Sequence, residues 1–137
     1  MNVWYLDSSA IVKFAVAEDE SDVLAAWRGD LDSEDVLMTC ELAIAEVLRA
    51  VARVEGDNEV ALAHLDSLEQ LVVDRDLLLA ASRLEPAELR TLDALHLAAA
   101  TAAGEDLGGV VTYDDRMTAA AEALGLTTVA PGRSPAG

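Results

Sequence analysis

The chain of 137 residues is poor in cysteine, proline and aromatic side chains. Its single cysteine, Cys40, excludes a disulfide framework and a zinc site built from cysteines. Aromatic residues make up 4% of the chain and hydrophobic residues 53%, so we expect a core built mainly of Ala, Leu and Val. No apolar run approaches the ~20 residues that span a bilayer, and no basic segment precedes the first apolar residues as it does in a signal peptide. These absences predict a cytoplasmic protein that does not bind membranes.

Basic residues are also scarce. Lys13 is the only lysine, and 26 acidic residues against 9 basic ones give a net charge of −17. The acids are dense in Glu18–Asp22 and Asp30–Asp35, as is typical of solvated helix ends and loops. Such a composition argues against a broad basic surface of the kind that binds nucleic acids.

Strand and helix patterns alternate along the chain. Val3–Leu6 is apolar and strongly β-forming, and Ser8 or Ser9 can cap the helix that follows it. The predicted strands are Val3–Leu6, Val36–Thr39, Val72–Val73, Gly109–Tyr113 and Leu126–Val129. The predicted helices are Ser8–Val16, Glu20–Arg28, Glu41–Val54, Val60–Leu71, Leu77–Leu84, Thr91–Ala103 and a last one from Asp114 or Asp115 to Leu124. This alternation predicts an α/β fold with a largely parallel sheet, one domain over residues 1–130 and a flexible tail over residues 131–137.

Four acidic residues stand in apolar or strand-end positions. Asp7 and Asp114 each follow a predicted buried strand, and ligands of open parallel sheets bind at the carboxyl ends of strands. Glu46 and Asp93 interrupt apolar stripes of predicted helices. Because burying an unpaired carboxylate is very costly, such residues pair, take up a proton or bind a metal.

Each of these acids has a simpler interpretation. Asp7 and Asp114 could cap helices, Asp93 could interact with the helix dipole, and Glu46 could pair with Arg49 or Arg53. Four converging carboxylates, however, would repel one another unless a hard cation such as Mg²⁺ or Mn²⁺ lay between them. A site of this kind suits phosphodiester hydrolysis.

Several polar residues near these acids have predicted roles. The hydroxyls of Ser9 and Thr112 are placed to support the site as hydrogen-bond donors. His96 lies one turn from Asp93, and we expect it to pack or to hydrogen-bond with a neighbouring element rather than to bind metal. Cys40 is expected to be an inert buried thiol, and His64 has no predicted role.

Four segments in this order resemble the PIN domain, and more narrowly the VapC toxins of type II toxin–antitoxin pairs. They are LDSSAIVK, ELAIAEVLRA, LRTLDALHLAAA and VVTYDDRMTAAAEALGL. The resemblance implies a three-layer αβα fold with a central parallel sheet of about four to five short strands. It also implies a Mg²⁺- or Mn²⁺-dependent endoribonuclease, an antitoxin partner and a homodimer.

The resemblance maps the acidic quartet of that family onto Asp7, Glu46, Asp93 and Asp114. Asp114 is preferred to its neighbour Asp115 because it directly follows Thr112-Tyr113, which leaves Asp115 at the rim or as a helix cap. The hydroxyls that the family places beside the acids map to Ser9 and Thr112.

The acidity of the chain leaves few residues to bind an RNA substrate. The candidates for phosphate contacts are Arg49, Arg90, Arg116 and Lys13, although each could instead form a salt bridge with a neighbouring acid.

Two other functions stay open: a Mg²⁺-dependent phosphatase with an aspartyl nucleophile, and a non-catalytic PIN-like binding domain. We expect the apolar contact surfaces for partners on the first helices and on Val60–Leu71.

Overall fold

A computed structural model describes residues 1–133 and contains a five-stranded sheet in the order β3-β2-β1-β4-β5. The strands are β1 (Val3–Leu6), β2 (Val36–Cys40), β3 (Glu69–Leu71), β4 (Leu107–Val111) and β5 (Thr128–Val129). All four strand pairings are parallel, which confirms the predicted α/β sheet. The central strand β1 pairs with β2 on one side and with β4 on the other.

Helices cover both faces of this sheet and give the three layers. They are α1 (Ser8–Ala15), α2 (Ser21–Gly29), α3 (Leu42–Arg53), α4 (Asn58–Asp66), α5 (Arg75–Ser82), α6 (Thr91–Thr101) and α7 (Asp115–Ala123). One buried cluster joins Tyr5 of β1 to residues of α5, α6 and α7. The other joins Leu6 of the same strand to residues of α1, α2, α3 and α4. Neighbouring strand residues point to opposite faces, so β1 contributes to both cores.

The prediction for residues 60–73 is wrong. The helix begins earlier, at Asn58, because the Asp57 side chain accepts hydrogen bonds from Glu59 N and Val60 N. It ends at Asp66, and the sheet strand is Glu69–Leu71 rather than Val72–Val73. The helical spacing of apolar residues continues through Leu68, but pairing of residues 69–71 with β2 overrides it.

Other predicted elements are present with shifted ends. Strand β4 begins at Leu107 rather than Gly109, and β5 is limited to Thr128–Val129. The predicted tail is described only to Arg133, which pairs with Glu20 at 3.2 Å, and residues 134–137 lie outside the described residues. The division into a domain of residues 1–130 and a tail stays a prediction. Residues 1–133 contain no helix that is both long enough and apolar enough to cross a membrane.

Candidate active site

Asp7 lies directly after β1 and is buried at the carboxyl end of the sheet. Its Oδ1 accepts hydrogen bonds from Ser9 Oγ at 2.6 Å and from Ala10 N at 3.1 Å, and its Oδ2 accepts one from Thr112 Oγ1 at 2.5 Å. Asp7 itself, not Ser8 or Ser9, therefore caps α1. Burial raises the pKa of Asp7 even though the bonds from Ser9 and Thr112 lower it.

The same two hydroxyls join the ends of β1 and β4. Ser9 Oγ accepts a hydrogen bond from Tyr113 N at 2.9 Å, and Thr112 Oγ1 accepts one from Asp114 N at 3.1 Å. Each hydroxyl thus donates to Asp7 and accepts from the backbone that follows β4. The network links Asp7 to Asp114 through a single side chain, Thr112.

Glu46 lies on α3 and contacts both α1 and α6. Its Oε1 accepts hydrogen bonds from Ser8 Oγ and from His96 Nε2, both at 2.6 Å. Within residues 1–133 neither Arg49 nor Arg53 pairs with it, so that simpler interpretation of Glu46 is wrong. Burial opposes ionisation of Glu46, but the bonds from His96 and Ser8 outweigh burial and lower its pKa.

His96 is buried and hydrogen-bonds to neighbouring elements, as predicted. Its Nδ1 lies 2.7 Å from the hydroxyl of Tyr5 on β1, and Nε2 contacts Glu46 on α3. Cys40 is buried too, with Sγ 4.0 Å from the same Nδ1.

Asp93 lies in the first turn of α6 and has one oxygen that is both buried and without a hydrogen-bond donor. Its Oδ2 is buried and accepts no hydrogen bond from any residue in the described range 1–133. Burial and the nearby charge of Asp114 raise the pKa of Asp93. A buried carboxylate oxygen without a donor is costly, and a proton or a cation would remove that cost.

Asp114 is exposed and caps α7. Its Oδ1 accepts hydrogen bonds from Arg116 N at 2.8 Å and Met117 N at 3.3 Å. The adjacent Asp115 has a fully exposed side chain and pairs with Arg133 at 3.4 Å, so it is not the cap. The charge of Asp114 acts on Asp93 and raises the pKa of that carboxyl, and Asp114 stays the predicted fourth acid.

The four predicted acids surround one end of the sheet without forming a finished metal site. As the side chains stand, no three His, Cys, Asp or Glu residues in the described range are placed to hold a metal ion. Both oxygens of Asp7 and one oxygen of Glu46 are engaged by donors, and mutual repulsion opposes closer approach of the acids. The donor set of oxygens alone still fits a hard divalent cation, and the unsatisfied oxygen of Asp93 is the clearest place for one.

The four predicted phosphate contacts divide into two groups. Lys13 is buried and pairs with Glu20 at 2.8 Å and Glu18 at 3.5 Å. It therefore forms salt bridges with neighbouring acids, which was the alternative to a phosphate contact. The other three are exposed arginines that form no ion pair within residues 1–133: Arg49, Arg90 and Arg116. Arg90 and Arg116 are near enough to Asp93 to lower its pKa against the raising effects of burial and Asp114.

Sequence reasoning missed two residues that contact the acids or their neighbours. The sequence indicates Ser8 only as a helix cap, although it donates to Glu46, and Tyr5 only as a strand residue, although it contacts His96. The contacts join residues 38 and 91 positions apart, respectively, so no local pattern signals them.

Comparison with known proteins agrees with this fold. The family model of the PIN domain matches residues 4–123. Ribonuclease VapC46 of Mycobacterium tuberculosis is 50% identical over 133 residues, which cover 93% of this chain and 96% of that protein. The chain therefore belongs to the PIN-domain family, and within it to the VapC ribonucleases.

Two solved structures share the fold at low sequence identity. VapC20 of Mycobacterium tuberculosis, a sarcin–ricin loop cleaving toxin, has a TM-score of 0.71 at 20% identity, covering 93% of this chain and 99% of its own. VapBC2 of Rickettsia felis, bound to a DNA fragment from its promoter, has a TM-score of 0.68 at 15% identity, covering 94% and 98%.

Proposed function

We propose that this chain is a Mg²⁺- or Mn²⁺-dependent endoribonuclease that acts as the toxin of a toxin–antitoxin pair. The observation that carries the proposal is the buried, unsatisfied Oδ2 of Asp93 among three further acids at the carboxyl end of the sheet. A divalent cation would satisfy that oxygen and offset the repulsion between Asp93 and Asp114. The family membership supports RNA as the substrate, since the relative named above is a ribonuclease.

The cation would be held by Asp7, Glu46, Asp93 and Asp114, each of which the protein restrains differently. Ser9 and Thr112 hold the carboxylate of Asp7, and the backbone of α7 holds that of Asp114. Ser8 and His96 hold one oxygen of Glu46. When bound, the metal would activate water for in-line attack on a phosphodiester. Asp115, at the rim, has no part in holding it.

The alternative of an aspartyl nucleophile is not favoured. Both oxygens of Asp7 already accept hydrogen bonds, and the residue two positions later is Ser9 rather than an acid. That chemistry usually uses an acid at the latter position, so Asp7 is better suited to holding a cation than to attacking phosphorus.

Metal removal is expected to stop RNA cleavage by the purified protein, and added Mn²⁺ to restore it. The physical reason is that the carboxylates alone provide neither a nucleophile nor positive charge for the phosphate. Cleavage of a labelled RNA would be measured with chelator and then with Mn²⁺, with D115N as a control that keeps wild-type activity. Cleavage that persists unchanged in chelator would refute the metal-dependent reaction.

The exposed arginines that form no ion pair within residues 1–133, Arg49, Arg90 and Arg116, are the proposed contacts to RNA phosphate. Neutralising them should weaken RNA binding. We expect R90A and R116A each to raise KM and to make the salt dependence of binding shallower by about 0.7 in log–log slope, because one phosphate contact to single-stranded RNA is lost. The matched control is R53A, an exposed arginine in the last turn of α3. Binding titrations at several salt concentrations would measure the slopes, and equal slopes in all three variants would contradict the assignment.

We also propose that the protein is cytoplasmic, that it forms a homodimer and that it binds an antitoxin. The VapBC2 structure is the support for an antitoxin, and the net charge of −17 suits a basic partner segment. Exposed apolar side chains lie on α4 at Val60 and Leu62, within the predicted contact region. Further ones lie outside that region, on α5 at Leu78 and on α6 at Leu92, and are additional candidates for these contacts.

A further inference from the structure

A buried chain of hydrogen bonds runs beneath the carboxylates from the sheet to Glu46. The hydroxyl of Tyr5 lies 2.7 Å from His96 Nδ1, and His96 Nε2 lies 2.6 Å from Glu46 Oε1. Tyr5 is fully buried and His96 is 3% exposed, so no bulk water competes with the bond between them, whereas Glu46 at the end of the chain is 27% exposed. The chain joins β1, α6 and α3, the elements that carry or precede three of the four acids.

The geometry fixes the imidazole at both nitrogens. A carboxylate only accepts hydrogen bonds, so His96 Nε2 carries the proton that it shares with Glu46. The other nitrogen is held by Tyr5 on a central strand, which prevents the ring from turning. Because a glutamate has three rotatable side-chain bonds, an anchor of this kind decides where its second oxygen lies.

We infer that His96, held by Tyr5, is a positioning residue that anchors Glu46 by Oε1 and leaves Oε2 available to the divalent cation. The inference rests on the proposed function. Ser8 completes the anchor, since its hydroxyl donates to the same Oε1 at 2.6 Å. Within residues 1–133, Oε2 accepts no hydrogen bond from protein, whereas both oxygens of Asp7 do.

Two variants of His96 with side chains of similar size and polarity distinguish a positioning role of this residue from a packing role. In H96Q the amide nitrogen can reach Glu46 as Nε2 does, whereas in H96N the shorter side chain can reach only the position of Nδ1. We expect H96N to weaken Mn²⁺ binding roughly 10- to 100-fold, the effect of losing a residue that orients a metal ligand, and H96Q to retain most of the affinity. Mn²⁺ titration by electron paramagnetic resonance, without RNA, would measure this. The KM for RNA should stay unchanged.

A double-mutant cycle shows whether the effect passes through Glu46. In the E46Q background we expect H96N to cause no further loss of Mn²⁺ affinity, and Y5F to weaken binding only when Glu46 is present. If H96N does not fold, Y5F with and without E46Q provides the same test of Mn²⁺ affinity. Equal losses in H96N and H96Q, or a loss that persists in E46Q, would overturn the inference while leaving the metal site intact. Absence of Mn²⁺ binding by the wild-type protein would overturn the proposed function and this inference together.

Discussion

Replacing Asp93 by Asn is expected to abolish RNA cleavage and, at the same time, to raise the melting temperature. Losing a residue that only orients a ligand costs 10- to 100-fold in metal affinity or activity, so losing a ligand should cost at least about 100-fold. The stability should rise because the charged form of Asp93 is unfavourable in the folded protein, where burial and Asp114 raise its pKa.

The sign of the stability effect follows from that shift. A carboxyl whose pKa is higher in the folded state binds its proton more tightly there, so its contribution to stability is present at low pH and is lost as the pH rises through the folded pKa. At neutral pH Asp93 is ionised in the unfolded chain at no such cost. An amide of the same shape avoids the cost, and thermal unfolding at neutral pH in chelator would detect the gain.

A second first-turn aspartate provides the control. Asp76 lies in the first turn of α5, is exposed and is remote in sequence from the acids. Its charge only interacts with the helix dipole, an effect of about 0.3–1 kcal/mol, so D76N should lower stability slightly and leave cleavage unchanged. If D93N also lowered the melting temperature and retained cleavage, Asp93 would be a dipole partner and not a ligand.

Replacing Thr112 by Val is expected to damage both the fold and metal binding. Val keeps the shape but removes the hydroxyl that donates to Asp7 Oδ2 and accepts from Asp114 N. Thr112 is 1% exposed and its bond to Asp7 is buried, so water does not replace that bond. Leaving buried polar groups unsatisfied should lower the free energy of unfolding by about 1–3 kcal/mol. Loss of the bond that orients Asp7 should weaken Mn²⁺ binding roughly 10- to 100-fold.

The matched control for this substitution is T118V. Thr118 lies on α7, and its hydroxyl donates to the exposed carbonyl of Asp114 at 3.0 Å, where water can take its place. We expect a change within about 0.5 kcal/mol and no change in Mn²⁺ affinity. Denaturant unfolding and Mn²⁺ titration of both variants would measure the difference. Wild-type Mn²⁺ affinity in T112V would remove Thr112 from the set of residues that support the site.

The sequence was most informative where local signals and topology agree. A short apolar strand followed by an acid predicts β1 with Asp7 and β4 with the acid after it, and the structure places both acids at the same end of a parallel sheet. The apolar stripes of α3 and α6 likewise predicted Glu46 and Asp93 as unusual acids. These inferences depend on neighbours in the chain, which the sequence displays directly.

The errors arose where distant residues decide the outcome. The helical apolar pattern through Leu68 gave no sign that β2 would pair with Glu69–Leu71 and end α4 early. The partners of Glu46 could not be read from its own helix, because the two nearby arginines are suitable by spacing while the residues that bind it, Ser8 and His96, lie 38 and 50 positions away. Whether the four acids close around a cation depends on their side-chain rotamers, which no sequence pattern specifies.

Asp114 caps α7 and is also a proposed metal ligand. One substitution can remove the second role and keep the first. The carbonyl oxygen of an asparagine at this place could accept the same bonds from Arg116 N and Met117 N, and Asn is as good a helix cap as Asp. If Asp114 and the exposed arginines have the roles proposed above, a descendant with this one exchange would be inactive and well folded and would still bind RNA. A single substitution would then convert a ribonuclease into an RNA-binding protein without activity.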